Sequence, residues 1–340
     1  MRNGIIGAGN WIIDKVKRID RWPGEGNLCN ILGEEMAPGG GPANVLFDLA
    51  AADPSLPLFA AGRIGNDAEG RYLLDQIAKR GIDAKGMKID EKLPTSYTDV
   101  MSGDGKRTFF HCRGANVSFA PADLDAIDAP AKFFYLGYLL LLDAFDAADP
   151  GYGTAAVRAL KAMRAKGYKT VVDFVTEAPE KFRRIVLPAL PEIDILIVNE
   201  LEASHCSGIE LRRADGTMNF SALPEAIDFL FAQGVGETVV LHFPEGAAGR
   251  TKEGKFIYVP SCRIAKEEIV GSNGAGDAFA AGVLYALHND WELRDAMLLG
   301  SASSNFNLRS ATASGGAVSL QKMQDFLKNC SFTQVPGAPC

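Results

Sequence analysis

The 340-residue chain lacks the glycine-rich loop ending in Gly-Lys-Ser or Gly-Lys-Thr, so a P-loop route to nucleotide phosphates is excluded. Its six cysteines, at positions 29, 112, 206, 262, 330 and 340, form no Cys-x-x-Cys pair. Its four histidines, at 111, 205, 242 and 288, have no zinc-pair spacing and sit in no triad pattern. Reduced thiols packed as small apolar groups are therefore expected, without a zinc centre. Excess positive charge is also missing. A net charge of -7 argues against nucleic acid or an anionic membrane as the main partner. No apolar run approaches the length of a membrane helix, and the opening MRNGIIGAGNWIIDK is broken by glycines before a signal-peptide core can form. A cytoplasmic enzyme is expected. The acidic cluster Asp143, Asp146 and Asp149 lacks the EF-hand pattern and reads as a loop face.

What is present is a long apolar and helical rhythm. Hydrophobic residues make up 47% of the chain, enough to bury one large core. Apolar runs at 4–6, 58–61, 133–136, 170–172, 195–198 and 238–241 read as strands. Amphipathic stretches at 71–80, 153–166, 223–233 and 278–287 read as helices. Strand followed by helix, repeated, implies a doubly wound α/β fold with a mostly parallel sheet. Two segments, 12–36 and 95–113, break the rhythm with polar alternation and glycine turns, including the hairpin signal Asp104-Gly105. They are expected to pair into a small β lid over one edge of the core. The organisation expected is a core of 1–11, 38–94 and 116–330, a lid of 12–37 and 95–115, and a loose tail at 331–340.

The most informative stretch is IVGSNGAGDAFAAGVLYALH at 269–288. Gly271, Gly274 and Gly276 make a loop that runs into helix-compatible residues from Asp277 onward. A glycine loop entering a helix N-terminus offers unpaired backbone N–H groups and the positive end of the helix dipole, which together bind an anion. Asp277 stands directly beside that anion site, where a carboxylate that merely capped the helix would repel a phosphate. Its position suits a general base that takes the proton of an attacking hydroxyl while the amides hold the transferred phosphoryl. This requires the carboxylate and the amides to face one cavity. The GAG at 7–9 has Ile12 where a dinucleotide fingerprint needs its third glycine, so that reading is set aside.

With PGGGPAN at 38–44, GRIGND at 62–67, NELE at 199–202 and NGAGDAFAAG at 273–282, the chain resembles the ribokinase (PfkB) family of sugar and nucleoside kinases over about residues 4 to 320. The resemblance implies an ATP- and Mg²⁺-dependent phosphotransferase acting on a hydroxyl of a small sugar or sugar acid, and a homodimer joined through the lid. It implies Asp277 as base, with Gly274, Ala275 and Gly276 supplying amides to the γ-phosphate. Asn199 and Glu202 would organise Mg²⁺ and its waters, with Glu202 the metal-facing group, and Asn273 and Gly246 would join the nucleotide contacts. Asn10, Asp14, Gly40 and Asn44 would line the sugar pocket, and Arg113 would steady an acid substrate or the phosphoryl group. Blander roles stand beside these: a turn carboxylate for Asp14, a tight turn at Gly40, a helix cap for Asn199 and a solvated lid residue for Arg113. The Asn10/Asp14 opening is similar to the nucleoside-kinase branch, so a nucleoside kinase is the alternative. A non-catalytic sugar- or nucleotide-binding sensor is the alternative of another class. Two departures stand out. Gly271-Ser272-Asn273 replaces the family's Asp-Thr, removing a ligand for a monovalent cation and leaving potassium activation open. LHFPEG at 241–246 keeps only the last glycine of a nucleotide-binding turn, leaving nucleotide preference open.

Overall fold

The central strands are apolar through their middles, which is what burial on both faces demands. The structure, a computed structural model, describes residues 2–104 and 106–339. Gly105 of the expected Asp104-Gly105 turn lies outside the described residues. The strands are β1 (Ile5–Gly9), β2 (Ile12–Ile19), β3 (Ile31–Gly39), β4 (Leu58–Gly65), β5 (Asp83–Asp90), β6 (Tyr97–Gly103), β7 (Lys106–Cys112), β8 (Phe133–Leu139), a two-residue ladder of β9 (Ala148–Asp149) and β10 (Gly153–Thr154), β11 (Lys169–Phe174), β12 (Ile195–Asn199), β13 (Thr238–Phe243), β14 (Gly246–Thr251) and β15 (Ile257–Pro260). The main sheet has nine strands in the order β15-β14-β13-β12-β11-β8-β1-β4-β5. From β13 to β5 every pairing is parallel, and β14 and β15 add antiparallel strands at one edge.

Side chains alternate across each strand, so the apolar runs split between two cores. Ile6, Phe134, Val172, Leu196 and Val239 enter one, and Ile5, Phe133, Val171, Ile195 and Val240 enter the other. The helices Gly41–Ala52 and Ala275–His288 cover the second face. LLLLD at 139–143 is core packing, with Leu139, Leu140 and Leu142 buried.

The two polar segments build one four-stranded sheet in the order β3-β2-β6-β7. Its outer pairs are antiparallel and its central pair, β2 with β6, is parallel. Only Asn10 and Trp11 separate β1 from β2, and Gly40 alone separates β3 from the helix Gly41–Ala52. Trp11 anchors this root. Its ring is fully buried and its Nε1–H donates to the Ala61 carbonyl at 2.9 Å. Near the C-terminus, the Arg263 N–H donates to the Ser331 carbonyl and the Thr333 N–H donates to the Ser261 carbonyl, so the segment read as a loose tail pairs with the core at these residues. Asp143 and Asp146 begin and end a single helical turn instead of lying in a loop, because the Leu142 carbonyl accepts from the N–H groups of Phe145 and Asp146.

Candidate active site

Asn199 at the end of β12 and His242 near the end of β13 come together with the glycine loop at the carboxyl ends of the parallel strands. Ligands of open α/β sheets sit there. Gly274 precedes the helix Ala275–His288 with φ at 73°, and a Cβ on it would lie 2.3 Å from the Ala313 carbonyl oxygen. Only glycine suits both the backbone conformation and the space. The N–H groups of Gly276 and Asp277 have no acceptor among the described residues, while that of Ala275 reaches the Ser272 carbonyl at 3.3 Å. Ala275 and Gly276 line a cavity of about 620 Å³, together with Asn199, His242, Gly246 and Ser272. That volume is within the range of small-molecule sites.

Asp277 is not among the residues that line this cavity and is 6% exposed. It accepts from Asn44 Nδ2 at 2.8 Å, and the Tyr138 hydroxyl lies 2.8 Å from both of its oxygens. Asp14 of β2 accepts from Asn273 Nδ2 at 3.3 Å, so a lid carboxylate also meets the glycine loop. Burial pushes Asp277 up to about 6, against the hydrogen bonds from Asn44 and Tyr138 and with added repulsion from Asp14. Burial likewise pushes Asp14 up to about 6. The shared opening that the base role requires is therefore closed here: Ala275 and Gly276 face the cavity, while the Asp277 carboxylate is covered by Asn44 and Tyr138.

Behind this centre lies a second acid pair. Glu202 is buried, with its oxygens accepting from the Asn199 N–H at 3.0 Å and the Thr176 hydroxyl at 3.1 Å. Burial raises it to about 7. Asp173 of β11 accepts from the Tyr135 hydroxyl at 3.2 Å, and burial followed by the charges of Glu202 and Asp277 raises it well above the usual carboxylate range. Two hard oxygen donors pushed together without a counter-charge are suited to a divalent cation. Among the described residues, no group of three or more His, Cys, Asp or Glu gathers as a metal cage. Asn199 caps the helix Glu200–Ser207 through Oδ1, which accepts from the N–H groups of Leu201 and Glu202 at 2.9 Å. Its capping role and its place on the cavity wall coexist.

The remaining expected residues fall in different places. Asn10 is fully buried and spends its side chain on the backbone: Oδ1 accepts from the Tyr138 N–H at 3.2 Å and Nδ2 donates to the Leu141 carbonyl at 3.1 Å. It positions Tyr138. Gly40 has φ at 88°, and a Cβ there would meet the Asn10 carbonyl oxygen at 2.0 Å. Arg113 pairs with Asp143 at 2.7 Å and lines a separate polar cavity with Lys181 and Arg184.

Three site residues escaped sequence reading. Tyr138 and Asp173 lie in or beside apolar strand runs, where no spacing singles them out. Arg107 of β7 rests on the glycine loop, since a Cβ on Gly271 would lie 2.5 Å from an Arg107 Nη atom. Its only signal was its place in the lid hairpin SGDGKR.

The altered LHFPEG turn is firmly held. Arg212 bridges Glu200 and Glu245, each with a contact at 2.6 Å, so the turn is tied to the helix that carries Glu202. Phe243 packs on Phe220 and Tyr258 with ring centroids 6.1 and 6.4 Å away. Burial lowers His242 to about 4, leaving a neutral ring beneath Gly276 at the cavity wall.

Comparison with known proteins gives the family. Residues 11–319 match the pfkB family carbohydrate kinase description. The chain is 26% identical to probable fructokinase-7 of Arabidopsis thaliana, over 96% of this chain and 92% of that one. It is 29% identical to aminoimidazole riboside kinase of Salmonella typhimurium, over 87% of this chain and 90% of that one. Its fold matches Arabidopsis thaliana ribokinase, solved with ribose and ATP, with a TM-score of 0.78 at 21% identity, covering 96% of this chain and 99% of that one. Because the family match runs through lid, glycine loop and acid pair alike, this chain is a member of the pfkB family of carbohydrate kinases.

Proposed function

We propose that this enzyme transfers the γ-phosphoryl group of ATP to a hydroxyl of a small sugar or sugar acid, with Asp277 as general base. The observation that carries the reading is the glycine loop itself. It offers the free amides of Gly276 and Asp277 beside a nucleotide-sized cavity, together with a buried carboxylate raised to about 6 and held by Asn44 and Tyr138. ATP occupies the cavity with its phosphates on the free amides of Gly276 and Asp277. The acceptor enters between the lid and the core, contacting Asp14, Gly40 and Asn44; in doing so it displaces the cover over Asp277, so that carboxylate and γ-phosphoryl come to face one space and the acceptor hydroxyl loses a proton to Asp277. Arg107 covers the loop from the lid and steadies the phosphoryl charge. Asn273, Asn199 and Gly246 complete the nucleotide side, while Arg113, paired with Asp143 on its separate cavity, takes no part in the acceptor contacts. ADP release from ATP should appear with fructose, ribose or 2-keto-3-deoxygluconate. Release with adenosine or another riboside alone would favour the nucleoside reading, which the riboside kinase relative supports. Thermal stabilisation by sugars without any ADP would support the sensor instead.

Mg²⁺ fits the Asp173–Glu202 pair. It would be held largely through water and the nucleotide phosphates, and would neutralise phosphate charge. A carboxyl raised in the folded state contributes stability that is lost as pH climbs from the ordinary carboxylate range through its folded value, here to about 7 for Glu202. A cation favours the ionised pair. Mg²⁺ should therefore raise Tm more at about pH 8 than at about pH 5.5, and Glu202→Gln should abolish the difference. Equal shifts at both pH values would remove this site.

The lid exposes Ile31, Leu32, Phe109 and Phe110, each more than half accessible. Ile31 and Leu32 lie on β3 and Phe109 and Phe110 on β7, the two edge strands of the sheet, and exposed apolar edge strands invite a partner. A second copy of the same sheet is the occupant in this reading, giving a homodimer. Sedimentation should report a dimer that Phe109→Ser with Ile31→Ser converts to monomer; an unchanged mass would discard the lid interface. Among the described residues no helix is long and apolar enough to cross a membrane. A cytoplasmic setting belongs to the same proposal, supported by the free thiols Cys29, Cys112, Cys206, Cys262 and Cys330, and cell fractionation tests it.

A further inference from the structure

Two of the free thiols are not scattered. Cys330 Sγ lies 3.6 Å from Cys262 Sγ, though the residues are far apart in sequence. Backbone pairing holds them in place on both sides. Cys262 bridges Phe332, the Arg263 N–H donates to the Ser331 carbonyl and the Thr333 N–H donates to the Ser261 carbonyl. Cys262 is fixed further by its own N–H, which donates to Ser301 Oγ at 2.8 Å, and by its carbonyl, which accepts from Asn305 Nδ2 at 2.9 Å. Cys262, Ser261, Ser301, Asn305 and Thr333 all line the cavity of about 620 Å³. The thiol pair is thus the seam where the C-terminal segment closes one wall of that cavity.

We propose that Cys262 and Cys330 form a thiol–disulfide switch, closed by peroxide-class oxidants, that fastens the C-terminal segment to the cavity wall. Neither residue belongs to the catalytic machinery described above. Cys330 is the partly exposed member and Cys262 is 4% exposed, so oxidant reaches Cys330 first. The Cys330 thiolate attacks a peroxide oxygen, forming the sulfenic acid and releasing water or an alcohol. The Cys262 sulfur then attacks the Cys330 sulfur, its proton leaves with the departing hydroxide as water, and the disulfide results. Two thiols lose two electrons in total, and the peroxide bond gains them. Burial pushes the Cys262 thiol up to about 12, so the second step relies on proximity and not on a ready thiolate.

The consequence for nucleotide rests on the ATP reading above. With both strands of the seam covalently joined, the wall carrying Ser261 and Thr333 loses freedom to adapt to a base, and affinity changes. The bond itself is independent of that reading.

The test uses the full-length protein treated with hydrogen peroxide, followed by disulfide mapping and hydrogen exchange over residues 331–339. The expected result is a Cys262–Cys330 bond with slowed exchange in that segment, a Tm about 5 °C or more higher, and reversal by dithiothreitol. Cys330→Ser should abolish all three changes, and Cys262→Ala checks the same from the other side with the space filled by a small apolar group. Bonds to other cysteines, or thiols that survive peroxide at this pair, would overturn the proposal. So would a bond that leaves exchange at 331–339 unchanged. ATP affinity should shift about threefold between reduced and oxidised protein. Failure of the reduced protein to bind ATP at all would count against the kinase reading, while the mapped bond and the exchange at 331–339 would still decide the switch.

Discussion

Asp277→Asn should lower kcat by roughly 10²- to 10⁴-fold while the KM values for sugar and ATP change little. The amide keeps the size of the carboxylate and a hydrogen-bonding oxygen for Tyr138. It cannot take a proton from the substrate hydroxyl. Stability gives a second readout. In the wild type, burial of the charged form raises Asp277 to about 6, so above that pH the folded protein carries an ionised group in an unfavourable place. Asparagine removes that cost. Tm of the variant should equal or exceed that of the wild type at about pH 8, which separates a chemical defect from a folding defect. In the wild type, kcat/KM should fall on the acidic side near pH 6, as the base becomes protonated. The limb belongs to a coupled set, because Asp14 repels Asp277 and titrates in the same range. Wild-type turnover in Asp277→Asn would remove the base assignment.

Gly274→Ala should cost at least about 10²-fold in kcat, for a reason unrelated to charge. The residue sits at φ 73°, a left-handed conformation that costs an L side chain about 1–2 kcal/mol. Its new Cβ would also meet the Ala313 carbonyl oxygen at 2.3 Å, which is backbone and cannot rotate away. The loop has to move, and the Gly276 and Asp277 amides move with it. Anion-hole donors act only when aimed at the developing charge, so a small displacement is expensive. Gly81→Ala supplies the control. It has a similar φ of 69° but nothing within 4 Å, so it should lose about 1 kcal/mol of stability and retain activity. If both variants were equally active, the anion role of the loop would be rejected.

How much of this was written in the chain depends on the kind of signal. All six strands expected from apolar runs are central strands of the main sheet, because burial on both faces leaves an uninterrupted apolar run. The antiparallel strands β14 and β15 and the edge strand β5 went unseen. GAAGRT in β14 has little β propensity, and it is a strand because β13 and β15 pair with it. Glycine loops are legible since only glycine tolerates their backbone, as Gly274 and Gly40 demonstrate. Tyr138 is different. A tyrosine in an apolar strand usually packs, and its contact with Asp277 exists only because Asn10 fixes the backbone of 138. Asp173 acquires meaning only beside Glu202, and Arg107 only after the lid folds over Gly271. Spacing cannot announce side chains whose roles depend on tertiary neighbours.

The root of the small sheet has a kinetic implication. Residues Asn10 and Trp11 enter it, and Gly39 to Gly41 leave it directly into the helix that bears Asn44. Any pivot of that sheet turns on the same few residues that fix Tyr138 and grip the base. In the proposed mechanism, opening of that sheet for product departure would loosen the supports of the proposed proton acceptor, so that a new turnover would wait until the product had left and the hinge had settled.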